Sequence, residues 1–159
     1  MLTESMEDYL EMIYRLTQAK GYVRAVDLAE QLKVQASSVT RMVQKLHEAD
    51  FVYYEKYRNI GLTPSGEHYG RFLIWRDRVL KDFLRLLDAD LGIEEQVEGM
   101  EHYITPTTMS LIRNLIAFFT ADPQALKALW SLQKHSSYPD GEVLPYLRAW
   151  DFRHTTDEL

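Results

Sequence analysis

Cysteine is absent from this 159-residue chain. That excludes disulfides and any thiolate zinc or iron-sulfur site. A bound metal would have to be held by carboxylates, imidazole, thioether, carbonyls and water, a donor set that favours a hard or borderline ion. No apolar run approaches the roughly 18 residues of a membrane-spanning helix, and the N-terminal stretch, with Glu4, Glu7 and Asp8, lacks the basic and apolar regions of a secretory signal. The expected location is the cytoplasm, without a membrane partner. Internal repeats and low-complexity tracts are also missing. No nucleophile, general-base pair or glycine-rich phosphate loop accompanies the acidic residues, so a metal hydrolase is disfavoured and the chain reads as a non-enzyme. What remains is an ordinary globular composition, 46% hydrophobic and 26% charged, sufficient for one core or two small domains.

The formal net charge of -6 hides an uneven distribution. Residues 1–75 hold nine Lys/Arg against ten Asp/Glu, and residues 76–159 hold nine against fourteen. Between residues 33 and 58 the balance turns positive, with Lys33, Arg41, Lys45, Lys56 and Arg58 against Glu48, Asp50 and Glu55. A local basic face is what phosphate contacts require, and the acidity lies elsewhere. Acidic groups gathered without a cation repel one another, which gives a cation something to stabilise.

Hydrophobic spacing predicts a mainly α protein. Met6, Tyr9, Leu10, Ile13, Tyr14 and Leu16 recur at helical intervals over residues 5–19, ended by Lys20-Gly21. A short helix over Val26–Leu32, opened by Arg24 or Ala25, precedes a third that begins at Ser37 or Ser38 and runs to about Asp50. This is helix-turn-helix order. Residues 51–55 and 59–62 read as the strands of a wing with Lys56, Tyr57 and Arg58 at its tip. Thr63, with Pro64 behind it, caps a long linker helix over about residues 64–88. Shorter helices follow over 93–103, from Thr105-Pro106 through Phe119, and from Asp122-Pro123 to about Lys134. Leu111, Ile112, Leu115, Ile116, Phe118 and Phe119 are more apolar than a lone surface helix needs, and read as core plus a helical dimer interface. The expected division is a winged helix-turn-helix DNA-binding domain at 1–71, a helical metal-binding and dimerisation domain at 72–135, and an extension at 136–159 of unassigned role. In that extension Leu144, Leu147, Trp150 and Phe152 could pack as a further helix.

In the third helix, Val39, Met42, Val43 and Leu46 lie on one face while small hydroxyls and long polar side chains occupy the other, the pattern of a recognition helix. Ser37, Ser38, Thr40, Arg41 and Gln44 are the base-reading candidates, with Ser37 also a cap and phosphate contact. Arg41 and Gln44 are the better placed for sequence readout. Lys45, Lys56, Tyr57 and Arg58 suit phosphates or the minor groove.

Asp8 and Glu11, three apart on a helix, project to one side, and Glu98, Glu101 and His102 do the same at i, i+3 and i+4. Facing each other, these helices would offer four carboxylates and an imidazole to a divalent cation. Each set alone is more usually a solvated acidic face. His47, His68, His135 and His154 lack a partner pattern and read as surface residues.

Five stretches in order carry a resemblance: Ser5-Met-Glu-Asp-Tyr-Leu-Glu-Met-Ile-Tyr14, Ser37-Ser-Val-Thr-Arg-Met-Val-Gln-Lys-Leu46, Tyr54-Glu-Lys-Tyr-Arg58, Leu62-Thr63 with Gly66, and Val97-Glu-Gly-Met-Glu-His102. Residues 1 to about 135 resemble the diphtheria-toxin-repressor (DtxR) family of metal-dependent regulators, in its small two-domain manganese branch. The resemblance implies a homodimer that binds pseudo-palindromic double-stranded operator DNA and represses metal-uptake genes when Mn(II) is bound. It also implies metal ligation by Asp8, Glu11, Glu98, Glu101 and His102, with a further ligand, a histidine in the family, at the position of Asp77. The carboxylate there changes a nitrogen donor to oxygen, shortens its reach and adds negative charge. An oxygen-rich site keeps Mn(II) as the expected ion, with Fe(II) or another divalent cation as alternatives. Altered metal preference, a partly filled site, and metal-independent regulation with a structural acidic cluster all remain open. So does a plain salt bridge from Asp77 to Lys81.

Overall fold

The computed structural model describes residues 2–55, 58–89 and 92–133. The proposed helix around Leu144 to Phe152 lies outside them. The described chain runs α1 (Glu4–Lys20), α2 (Ala25–Leu32), α3 (Ala36–Glu48), β1 (Val52–Tyr53), β2 (Gly61–Leu62), α4 (Pro64–Leu86), α5 (Ile93–Met100), a 3-10 turn (Glu101–Tyr103), α6 (Pro106–Ala121) and α7 (Pro123–Gln133). Among these residues no helix is long and apolar enough to cross a membrane.

Two compact units divide this chain. The first comprises residues 1–79 together with 101–103. Its core gathers Leu10 and Ile13 of α1, Leu28 of α2, Val39, Val43 and Leu46 of α3, Val52, Ile60 and Leu73. Burying each such aliphatic side chain contributes roughly 1.5–3 kcal/mol relative to leaving it in water. The caps set where each helix begins and ends. The Thr3 hydroxyl accepts from the Met6 amide, and Gly21, at φ 75°, closes α1 in the left-handed conformation that glycine adopts without cost. At the start of α2 the Asp27 carboxylate accepts from the Arg24 amide at 3.0 Å and from the Arg24 guanidinium. Residues 33–35 make the turn of the helix-turn-helix, Lys33 taking a left-handed backbone at φ 53°.

The wing is shorter than the sequence pattern suggests. Val52 pairs with Leu62 and Tyr53 with Gly61, antiparallel, and the Ile60 amide bonds the Val23 carbonyl at 2.7 Å. Thr63 locks the wing to α4: its hydroxyl donates to the Asp50 carbonyl at 2.7 Å and accepts from the Gly66 amide at 3.0 Å. Gly66 is needed here because a Cβ would fall 1.8 Å from the Phe51 carbonyl oxygen. Gly70 lets α4 approach α1, since its Cβ would lie 2.8 Å from the Tyr14 side chain.

Of the described residues, the second unit holds 80–89, 92–100 and 104–133. Leu80, Leu84, Val97, Met109 and Ile112 are its buried apolar residues. Thr105 caps α6, its Oγ1 accepting from the Thr108 amide, and Asp122 caps α7 by accepting from the amides of Gln124 and Ala125. The Trp130 indole donates to the Leu86 carbonyl at 2.9 Å, and Lys81 pairs with Glu94. Leu111, Leu115 and Phe118, at 59%, 46% and 58% exposure, form an apolar stripe along one side of α6.

Candidate functional site

The helical stretch expected over 93–103 divides at Met100. Glu101 and His102 sit on the 3-10 turn instead of continuing α5, and the next helix starts almost at once, capped by Thr105 and Pro106. Glu98 is therefore exposed on α5, while Glu101 is 5% exposed and packs with α1 in the first unit.

Asp8, Glu101 and His102 come together. One ligand atom from each lies within 4.8 Å of the others, a grouping that could hold a metal ion. His102 Nε2 is 3.3 Å from Asp8 Oδ1 and 3.8 Å from Glu101 Oε1. Its other ring nitrogen, Nδ1, donates to Glu7 Oε2 at 2.8 Å. A carboxylate on Nδ1 fixes both ring orientation and tautomer, leaving Nε2 as the donor atom turned toward Asp8 and Glu101. Two carboxylates and an imidazole with no thiolate form a mixed oxygen and nitrogen donor set suited to a borderline divalent cation. A pocket lined by Leu2, Thr3, Glu4, Ser5 and His102 borders the cluster.

Glu7 was not singled out from the sequence, yet it organises this cluster. Besides His102 it accepts from Tyr69 Oη at 3.0 Å and Arg76 Nη1 at 2.9 Å. Burial alone would raise its pKa, but the hydrogen bonds from His102, Arg76 and Tyr69 and the Arg76 charge outweigh that and hold it below the usual carboxylate range. Burial and the neighbouring Glu7 charge raise the pKa of Tyr69. Arg76 is itself 3% exposed, and its Nε lies 3.6 Å from Glu101 Oε2. The sequence signal for this network was Arg76: it falls within the apolar stripe between Leu73 and Leu80, and a buried guanidinium demands carboxylate partners.

Glu11 and Asp77 are placed differently. Arg15 Nε donates to Glu11 Oε1 at 2.8 Å, and its Nη2 donates to Asp77 Oδ2 at 3.1 Å. Burial alone would lower the Arg15 pKa; the hydrogen bonds and charges of Glu11 and Asp77 outweigh it and raise it instead.

On α3, Ser37, Ser38, Arg41, Gln44 and Lys45 are exposed, opposite the buried Val39, Val43 and Leu46. The helix opens one residue before Ser37, after an extended Gln35 that makes no side-chain cap. Ser37 and Ser38 thus occupy the first turn rather than the cap. Thr40 is half-buried, its hydroxyl donating to the Ala36 carbonyl. His47 is not a bare surface residue, because its Nδ1 meets the Val52 carbonyl at 2.9 Å and ties α3 to β1. Arg58 pairs with Glu55 at 3.0 Å on the wing. Lys56 and Tyr57 lie outside the described residues.

A winged helix-turn-helix with an exposed polar recognition face, a carboxylate and imidazole cluster beside its first helix, and a separate helical unit together define a metal-dependent transcriptional regulator. Residues 1–60 match the family model for the iron dependent repressor N-terminal DNA binding domain, and residues 63–129 match that for the iron dependent repressor metal binding and dimerisation domain. The HTH-type transcriptional regulator MntR of Shouchella clausii is 42% identical over 143 residues, covering 89% of this chain and 100% of that protein. MntR of Bacillus subtilis is 43% identical over 139 residues, covering 87% and 98%. Among solved structures, the manganese regulator SloR is similar with a TM-score of 0.64 and 27% identity over 74% of this chain. This chain spans 55% of SloR, about half its length. The chain belongs to the iron-dependent repressor family, that of the diphtheria toxin repressor, and to its MntR branch.

Proposed function

We propose that the protein is a homodimeric, Mn(II)-responsive repressor that binds pseudo-palindromic operator DNA of metal-uptake genes in the cytoplasm. The observation that carries this reading is the convergence of Asp8, Glu101 and His102, with His102 Nε2 turned toward the two carboxylates by Glu7. A bound divalent cation would neutralise these carboxylates. It would thereby tie α1, which packs against both helices of the helix-turn-helix, to the turn that joins α5 and α6.

Arg41 and Gln44, exposed on α3, would read base edges, while Lys45 and Arg58 suit phosphates. The apolar stripe of Leu111, Leu115 and Phe118 on α6 is the face a second copy would cover. Similarity to the manganese regulator SloR and to MntR proteins supports Mn(II), and the family's iron-dependent description keeps Fe(II) as an alternative. If metal selects the operator-competent arrangement, operator must tighten metal binding by the same factor. Gel-shift on the protein's own upstream region and on transporter promoters, with Mn(II), Fe(II), Zn(II) and chelator in parallel, tests the switch. The expected result is tighter operator binding with Mn(II), reversed by chelator.

One observation favours a second reading, a regulator independent of metal. Arg15 and Arg76 already place protein cations beside Glu7, Glu11, Asp77 and Glu101. Operator affinity unchanged by any metal or chelator would select it.

A further inference from the structure

We infer that Arg15 is a resident cation for Glu11 and Asp77, so that each subunit takes a single divalent ion, at Asp8, Glu101 and His102. The inference rests on the metal-responsive reading and deepens it by naming the side chain that sets how many ions the site accepts.

Glu11 lies on α1 and Asp77 on α4, yet both carboxylates meet the same guanidinium: Nε and Nη2 reach Glu11, and Nη2 also reaches Asp77. The rigid donor fork of arginine holds its partners in one geometry. Arginine also cannot make way for an ion by losing its proton, as lysine or histidine can. A divalent cation seeking these oxygens must displace a permanent positive charge.

The placement of the protein cation separates the two clusters: the Arg15 guanidinium bonds both Glu11 and Asp77, whereas Arg76 meets Glu7 and Glu101 and Asp8 faces the His102 imidazole. Access does not separate them, since the Arg15 side chain is 43% exposed and lines an open cleft with Tyr14, Gln18, Ala19 and Ile74. What keeps an ion from Glu11 and Asp77 is the guanidinium, not the want of a path.

The test is Mn(II) titration by calorimetry, with metal analysis after gel filtration, on the full chain without DNA. Wild type is expected to bind a single ion per subunit and Arg15→Met to gain a second. Arg15→Gln repeats the neutral variant should Arg15→Met fold poorly. Two ions on wild type, or no added ion on either neutral variant, overturns the inference while leaving the metal-responsive reading intact. No ion on wild type or any variant overturns both.

Discussion

Asp8 and Glu11 stand one turn apart on α1 and carry the same charge, yet their surroundings differ in kind. Asp8 faces an imidazole whose far nitrogen is held by Glu7, and behind that bond stands Arg76, 3% exposed. Glu11 faces an arginine in contact with solvent. In the first case the guanidinium meets Glu7 and Glu101, and Asp8 meets the imidazole instead. In the second the guanidinium lies between the carboxylates. Whether acidic residues form an ion site depends less on their number than on where the protein has put its own positive charges.

The strongest test of this contrast is to remove each arginine. Arg76→Leu strands Glu7 and Glu101 without their cation and should cost about 3–5 kcal/mol in urea unfolding of the apo protein. Arg15→Ala, at a partly exposed pair, should cost no more than about 1 kcal/mol. Equal losses would erase the distinction. Gly70→Ala pushes a methyl into the Tyr14 ring, and so α1 from α4, with an expected cost of about 1–3 kcal/mol in the same assay.

Removing the carboxylate behind His102 separates orientation from charge. Glu7→Gln should weaken Mn(II) binding about 10–100-fold by calorimetry, as losing an outer-shell partner does. No change there would mean that the ring needs no such support.

The smallest effect is expected at a third carboxylate, remote from metal chemistry. The Arg24 side chain, helped by the Arg24 amide and Lys20, outweighs burial and holds Asp27 down from 3.8 to about 2. A depressed carboxylate stabilises the fold fully above its unfolded value and loses that contribution as pH falls through the folded one. Wild type should therefore lose stability between about pH 4 and pH 2 more steeply than Asp27→Asn, measured by thermal melts across that range.

Local signals were legible in the sequence and long-range pairings were not. The apolar spacing of α1 and α3, the caps at Thr63 and Thr105, and the Asp122-Pro123 start of α7 stand within a residue or two of expectation. Helix periodicity misplaced Glu101 and His102, because the close approach of the next capped helix turns the chain before α5 can continue. The Arg15 bridge was hidden for a different reason. Asp77 lies on α4 and Arg15 on α1, 62 residues apart in sequence. Nothing in spacing alone reports which helices will cross.

The most direct measurement is Mn(II) titration of Asp8→Asn and Glu11→Gln side by side. Asp8→Asn removes a ligand and should abolish measurable binding, whereas Glu11→Gln should keep the wild-type ion count with affinity changed by less than about threefold, the scale of a screened surface charge. Equal loss in both would place Glu11 in the ion site and contradict the division between the two clusters.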